Sequence, residues 1–236
     1  MRPYEFNLTM YVLFVIDSSA EVTPSNFGLE KEFVKSLISQ LNIYPADSGS
    51  RVGIMVYSDG PTMVLDFQNQ ESKTSLETII DELPHLRGAR RIDRALKSAT
   101  DALGDIDADH PKFVVLVAAG RQTDEPGSQT FSAAVKPLYR TGTKIHVMAV
   151  GDKVDPSYFQ GEDRNESSVI SVPSFLDLAQ AAEKLSTDLL VDYGRLLFCA
   201  SLDFLVYILR GDQLVVDANK LQSCVSLFSM CWKLNC

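Results

Sequence analysis

Four apolar runs of six residues each recur along the first 150 residues of the chain. Continuous runs of this kind are typical of strands covered on both faces. A shorter run, Met63–Phe67, predicts a fifth strand at an edge of the sheet. The four long runs are Tyr11–Ile16, Val52–Tyr57, Phe113–Ala118 and Ile145–Val150.

Between these strands, apolar residues recur at the spacing of helices. Thr23-Pro24-Ser25 is a helix start signal, and Pro84 and Gly104 are stop signals. Strands that alternate with helices predict an α/β domain, with a Rossmann-like, mainly parallel central sheet and helices on both faces. Ligands of such sheets bind at the carboxyl ends of the strands. The predicted helices cover about 24–41, 76–83, 92–103, 131–138 and 175–187.

The character of the chain changes near residue 190. We expect a domain over residues 1–190 and an apolar, cysteine-containing appendage over 191–236, since all four cysteines lie at position 199 or beyond. The apolar stretch Leu196–Leu209 contains Asp203 and has 14 residues. That is short of the roughly 20 needed to cross a bilayer, so no membrane span is expected. The first nine residues show no apolar signal-peptide core.

The net charge is −9, from 31 acidic and 22 basic residues. A nucleic-acid-binding protein needs a basic face to neutralise phosphates, so nucleic acid is not an expected partner. The cluster Arg87, Arg90, Arg91 and Arg94 leaves open a local phosphate or glycosaminoglycan site, or simply a solvated surface.

The segment Phe14–Val22 resembles the first strand and loop of von Willebrand factor type A domains, in which an apolar strand runs into Asp-x-Ser-x-Ser. The resemblance covers roughly residues 11–187 and includes Arg51-Val52-Gly53-Ile54, Ile92-Asp93-Arg94-Ala95-Leu96 and the turn before Gly120. It is strongest to the A domains of matrilins and collagen VI. These are extracellular-matrix proteins whose A domains mediate adhesion.

In that family, five side chains form a metal-ion-dependent adhesion site that leaves one position of Mg²⁺ open for a partner's carboxylate. By this resemblance two of the five are present, Asp17 and Ser19, while Glu21 replaces a serine. Arg90 replaces a threonine, and Ala119 replaces the aspartate of a Thr-Asp-Gly turn. We therefore expect a vestigial metal site with no resident cofactor, in which Arg90 either reaches Asp17 in place of the cation or lies in solvent.

The resemblance implies a non-catalytic, extracellular interaction module that binds another protein, such as a matrix component like collagen. Binding would use the loops 17–22, 87–93 and 119–128, without metal. One alternative is a residual Mg²⁺-dependent adhesion domain that uses Asp17, Ser19 and Glu21. Another is a nucleotide-binding or hydrolytic enzyme, although glycine-rich phosphate loops and a GxSxG elbow are lacking. Asn7 and Asn165 begin glycosylation sequons, which matter only in a secreted protein.

Overall fold

The structure is a computed structural model that describes residues 10–41, 43, 49–69, 71–107, 110–152, 154–160 and 167–192. The sequon residues Asn7 and Asn165, the four cysteines and the predicted appendage beyond residue 192 lie outside the described residues.

The central sheet has six strands in the order β3-β2-β1-β4-β5-β6. All neighbouring strands run parallel except β2 and β3, which are antiparallel. The predicted fold class, an α/β domain with a mainly parallel sheet, is confirmed. The strands are β1 (Tyr11–Asp17), β2 (Arg51–Tyr57), β3 (Pro61–Leu65), β4 (Lys112–Ala118), β5 (Lys144–Val150) and β6 (Ser167–Val172).

Helices connect the parallel strands and begin at the caps that the sequence provides. Thr23, Ser72 and Thr130 each accept a hydrogen bond from a backbone amide in the first turn of their helix. Single 3-10 turns cover Pro156–Phe159 and Phe175–Asp177. The helices are α1 (Pro24–Gln40), α2 (Lys73–Asp81), α3 (Ile92–Gly104), α4 (Phe131–Arg140) and α5, which covers residues 178–192.

Three expectations need correction. The sequence analysis missed β6, whose SSVISV pattern mixes serine with aliphatic residues and differs from the long apolar runs. The edge strand β3 begins two residues before the predicted Met63 and ends at Leu65. The last helix does not end near Thr187, because residues 178–192 are all helical.

The chain divides into two units, Met1–Leu185 and Ser186–Cys236. The expected boundary at residue 190 falls within α5 and stays a prediction. No helix in the described part of the chain is long and apolar enough to cross a membrane.

The core of the first unit lies on both faces of the sheet. Side chains of alternate residues along a strand point to opposite faces, so Leu13 and Val15 belong to a buried cluster with α3 and α4. Phe14 and Ile16, also fully buried, face the other side. Because α1 contacts β1 and packs on α2, both faces are covered, which explains why β1 is apolar without alternation.

Candidate functional site at the carboxyl edge of the sheet

The site lies where the order of the strands reverses. β1 pairs with β2 on one side and with β4 on the other, and the connection from β1 to β2 runs in the opposite direction to the connection from β4 to β5. A crevice forms at the carboxyl ends of the strands at such a point. Asp17 ends β1 and Ala119 follows β4, and the backbone amide of Ala119 donates to Asp17 Oδ2 at 3.1 Å.

Asp17 is fully buried and bonded through both carboxylate oxygens. Its Oδ1 accepts a hydrogen bond from the backbone N–H of Ser19 at 3.0 Å. Its Oδ2 accepts one from Arg90 Nε at 2.5 Å, besides the Ala119 amide. The carboxylate therefore has a full positive charge and two backbone donors as partners, the arrangement that a buried anion requires.

Arg90 is 3% exposed and connects three segments of the chain. Its Nη1 donates to Glu21 Oε2 at 2.8 Å and to the carbonyl of Arg121 at 3.3 Å. Its backbone N–H donates to Thr123 Oγ1 at 3.1 Å, and the Thr123 amide returns a bond to the Arg90 carbonyl at 2.8 Å. Burial alone would lower the pKa of Arg90, but the charge of Asp17, its hydrogen bond to Arg90 and the smaller contributions of Tyr57 and Glu21 together raise the pKa above its usual value. Arg90 is thus a permanent buried cation.

All five positions that the resemblance singled out come together at this point. Asp17, Ser19 and Ala119 meet through hydrogen bonds, and Glu21 joins them through Arg90. The sequence left two hypotheses for the side chain of Arg90, contact with Asp17 or exposure to solvent. The structure agrees with the first and not with the second.

Ser18 holds the loop that carries Arg90 in place. Its Oγ donates to the carbonyl of Pro84 at 3.0 Å and accepts from the amide of Leu86 at 2.7 Å. Its carbonyl accepts from the Arg87 amide at 2.8 Å. One short side chain directly after β1 therefore fixes the entry of the 84–91 loop.

Asp59, in the turn after β2, holds the other end of this loop. Its Oδ1 accepts from the Ala89 amide at 2.7 Å. A Cβ added to Gly88 would lie 2.1 Å from Asp59 Oδ2, so any other residue here would displace the Asp59 carboxylate. Ser18 and Asp59 therefore hold the 84–91 loop in the position from which the side chain of Arg90 contacts Asp17.

Arg91 forms a second buried ion-pair cluster beside the first. Its Nε and Nη2 donate to the two oxygens of Asp93 at 2.9 and 2.8 Å, and its Nη1 bonds Glu125. Partial burial alone would raise the pKa of Asp93, but the bonds from Arg91 and from the Gln129 amide lower it. Gln122 Oε1 accepts from the Asp93 amide at 3.1 Å at the start of α3. The loop after β4 is therefore fastened to α3 by charged hydrogen bonds.

The four arginines do not form one basic surface. Arg90 and Arg91 are each 3% exposed and engaged with carboxylates. Arg94 is half exposed and donates to the carbonyl of Asp59 at 2.6 Å. Of the four arginines, Arg87 and Arg94 face solvent. A phosphate or glycosaminoglycan ligand could therefore reach two of the four positive charges that the sequence suggested for such a site.

Two further titratable groups lie beneath the ion pair. Glu30 on α1 is fully buried, and neither carboxyl oxygen has a hydrogen-bond partner among the described residues. Burial, and then the nearby charge of Asp17, raise the pKa of Glu30 well above its ordinary value. Tyr57, also fully buried, donates to the carbonyl of Val117 at 3.0 Å. Its pKa is likewise raised by burial and by Asp17. Burial and the charge of Asp17 therefore both favour the neutral forms of Glu30 and Tyr57.

These residues do not fit a Mg²⁺ ion. Such an ion needs hard oxygen ligands in an octahedron, whereas the guanidinium of Arg90 is bonded directly to Asp17. Ala119 contributes only an N–H donor, which points at the same carboxylate. The carboxylate oxygens that a cation would use already accept three hydrogen bonds.

Sequence reasoning did not predict the structural roles of several residues of the site. Ser18, Asp59, Arg91 and Thr123 act through hydrogen bonds to distant segments, which a single sequence does not show. Glu30 did carry a signal: it lies three residues after Phe27 and four before Val34, on the buried face of α1. An acid on the apolar face of a helix is unusual enough to mark a buried polar cluster.

The fold and the site define a doubly wound α/β domain with a polar centre at the switch point of its sheet. The model of the von Willebrand factor type A domain matches residues 12–184, and the chain belongs to this family. The predicted resemblance is confirmed.

Sequence similarity to known proteins agrees with the assignment of the chain to this family. The chain is 29% identical to the collagen alpha-1(VI) chain of Xenopus laevis over 151 residues, 61% of this chain and 14% of that one. It is 29% identical to human matrilin-3 over 121 residues, 48% and 24% of the two chains. The chain thus spans less than a quarter of the length of these relatives. Domains of this family in matrix proteins indicate a protein-interaction module.

Solved structures share the fold. Proximal thread matrix protein 1 from the mussel byssus matches with a TM-score of 0.67 at 18% identity, over 77% of this chain and 48% of that one. A further structure of that protein is described with zinc in its metal-ion-dependent adhesion motif, at a TM-score of 0.67 and 17% identity over the same shares. At these identities the likeness establishes the fold alone.

Proposed function

We propose that this chain is a non-catalytic protein-interaction domain that binds its partner through the loops at the carboxyl edge of the sheet and needs no metal ion. The observation that carries the proposal is the buried contact of Arg90 with Asp17, at 2.5 Å. A charged side chain supplied by the chain itself takes the place where relatives of this fold use a divalent cation. The vestigial site is then a structural centre that fixes the loops around it.

Rigid loops favour binding because less conformational entropy is lost when a partner docks. The loops 17–22, 87–93 and 119–128 are joined by Arg90 and by the bonds of Ser18 and Arg91. Their outer surface includes exposed groups of both charges, and the exposed Leu86 lies directly before the loop 87–93. The partner is another protein, and the collagen VI and matrilin relatives favour a component of the extracellular matrix such as collagen. The same relatives favour an extracellular location.

The test is a solid-phase binding assay of the full chain on immobilised matrix proteins, including collagens, in EDTA and in 5 mM Mg²⁺. We expect equal binding in both. Arg87→Glu, in the edge loop, should weaken binding, whereas Arg140→Glu, at the opposite end of the sheet, should not; both arginines are exposed. Equal loss in both variants, or no loss in either, would contradict binding through the carboxyl edge.

Thermal unfolding tests the metal independence by itself. An ion that binds only the folded state at a hundredfold excess over its Kd stabilises by about 2.7 kcal/mol. We expect no such rise with Mg²⁺ or Mn²⁺. A rise that Asp17→Ala abolishes would establish the residual adhesion site formed by Asp17, Ser19 and Glu21 instead.

A further inference from the structure

The hairpin turn between β2 and β3 contains an aspartate followed directly by a glycine. Asp59-Gly60 is the one Asp-Gly pair in the sequence, which has no Asn-Gly pair. In such a pair the amide nitrogen of the glycine can attack the side-chain carboxyl group of the aspartate, because glycine has no side chain to obstruct the approach. Asp59 is exposed, and a Cβ added to Gly60 would meet no atom within 4 Å. The space around the two reacting residues is therefore open.

Two hydrogen-bond donors bind the groups that would react. The backbone N–H of Ala89 donates to Asp59 Oδ1 at 2.7 Å. Arg94 Nη1 donates to the backbone carbonyl oxygen of Asp59 at 2.6 Å. That oxygen belongs to the same peptide group as the Gly60 nitrogen, so the guanidinium stabilises the negative charge that the group acquires when the nitrogen loses its proton. The Ala89 amide stabilises the negative charge on the carboxyl oxygen during the attack on Cγ, as an oxyanion hole does.

We propose that Asp59 is a site of spontaneous isomerisation to isoaspartate, promoted by the contacts of Ala89 and Arg94. The Gly60 nitrogen forms a bond to Asp59 Cγ, and one carboxyl oxygen leaves as water with the amide proton and one proton from solvent. Water then opens the resulting succinimide ring. Addition at Cγ restores aspartate, whereas addition at the backbone carbonyl carbon gives isoaspartate, in which the main chain runs through Cβ and Cγ. This chemistry needs no oxidant or reductant and is independent of the proposed binding function.

Isomerisation would release the 84–91 loop at one of its two ends. Asp59 Oδ1 holds the Ala89 amide, and Gly88 lies so close that a Cβ there would be 2.1 Å from Asp59 Oδ2. Isoaspartate has one more carbon in its main chain and carries its carboxylate directly on Cα, so the carboxylate cannot stay in this place. Ser18 still holds the other end of the loop. We therefore expect a loosened loop in a domain that remains folded.

The test is a long incubation of the folded full chain at physiological temperature and pH. Isoaspartate is counted by enzymatic methylation with an isoaspartyl methyltransferase and located by peptide mass spectrometry. We expect isoaspartate to accumulate at Asp59. Gly60→Ala should lose most of it, because the added methyl group obstructs the nitrogen and meets no other atom of the fold.

Arg94→Gln tests the promotion by the guanidinium. This variant should form isoaspartate about two- to fivefold more slowly, the factor expected for one half-exposed charge interaction. The matched control is Arg140→Gln, the same change at an exposed arginine at the opposite end of the sheet, and its rate should equal that of the unmodified chain. Faster amide exchange over 84–91 in the aged chain should accompany the modification.

No isoaspartate at Asp59 in the folded chain overturns the proposal, and the same chain incubated in urea is the positive control for detection. Equal rates in Arg94→Gln and the unmodified chain overturn the role of the guanidinium. Isoaspartate at Asp59 with unchanged amide exchange over 84–91 contradicts the release of the loop.

Discussion

Replacing Arg90 by threonine should destabilise the fold markedly, although threonine is the residue that the family's metal site has at this position. Asp17 would keep the two backbone donors from Ser19 and Ala119 but lose its charged partner. Removing one member of a buried ion pair costs about 3–5 kcal/mol. The two remaining amides place the expected loss near the lower end, at about 3 kcal/mol. The contact with the exposed Glu21 adds at most about 1 kcal/mol.

Thermal and urea unfolding of the full chain measure this loss. In a domain of this size, about 3 kcal/mol corresponds to a melting temperature lower by roughly 6–12 °C. The control is Arg94→Thr, the same change at a half-exposed arginine of the same cluster. We expect that variant to lie within about 1 kcal/mol of the unmodified chain.

A double-mutant cycle with Asp17→Asn tests whether the loss comes from the ion pair. If it does, the two changes together cost less than the sum of the single changes, by at least about 1 kcal/mol. A loss below about 1 kcal/mol in Arg90→Thr, or additive effects in the cycle, would refute the assignment of Arg90 as the internal counter-charge.

The remaining predictions concern neighbouring groups. Glu30→Gln should become increasingly stabilising relative to the unmodified chain as pH rises above about 4.5. The pKa of Glu30 is higher in the folded chain than in the unfolded chain, so Glu30 contributes to stability at pH values below its unfolded pKa. This contribution is lost as the pH rises toward the folded pKa, at up to about 1.4 kcal/mol per pH unit. Urea unfolding between pH 4 and 8 measures this, with the exposed Glu32→Gln as control; parallel curves for the two variants would contradict it. Asp93→Asn should cost about 1.5–3 kcal/mol at neutral pH and less as pH falls, because the pKa of folded Asp93 is lowered. Faster amide exchange confined to 122–129 would locate the effect, and unchanged exchange there would count against it. A chain ended after Asp192 should unfold cooperatively, since the family model ends at residue 184; a broad, non-cooperative transition would show that later residues belong to the domain.

The fold could be predicted because its strongest signals are local. A strand buried on both faces must be apolar throughout, so β1, β2, β4 and β5 are visible as runs. Among the described strands, β6 lies at the edge of the sheet and pairs with β5. An edge position permits polar residues such as the exposed Ser171, so β6 does not appear as an apolar run.

The site was predictable only where a family pattern aligned distant residues. The family pattern assigned Asp17, Arg90 and Ala119 to one site, and the structure brings both Arg90 and Ala119 within hydrogen-bond distance of Asp17. No pattern indicated that Arg91 would be buried while Arg94 is not. Burial of an arginine depends on which acids the folded chain brings to it, here Asp93 and Glu125.

Charge balance explains why Arg90 and Ala119 belong together. The family's metal site combines a divalent cation with two aspartates, one at the position of Asp17 and one at that of Ala119, and their charges sum to zero. Here one buried guanidinium faces one buried carboxylate, and the buried charges again sum to zero, because Ala119 removes an anion as Arg90 adds a cation; Glu21, the second acid on Arg90, is exposed. Burial and the charge of Asp17 raise the pKa of the neighbouring Glu30, which favours its neutral form. Either substitution alone would leave an uncompensated charge in a buried place, at a cost of several kcal/mol. The two substitutions therefore compensate each other electrostatically. A metal ion added to this site would be repelled by the charge of Arg90 and would lack the carboxylate that Ala119 replaces.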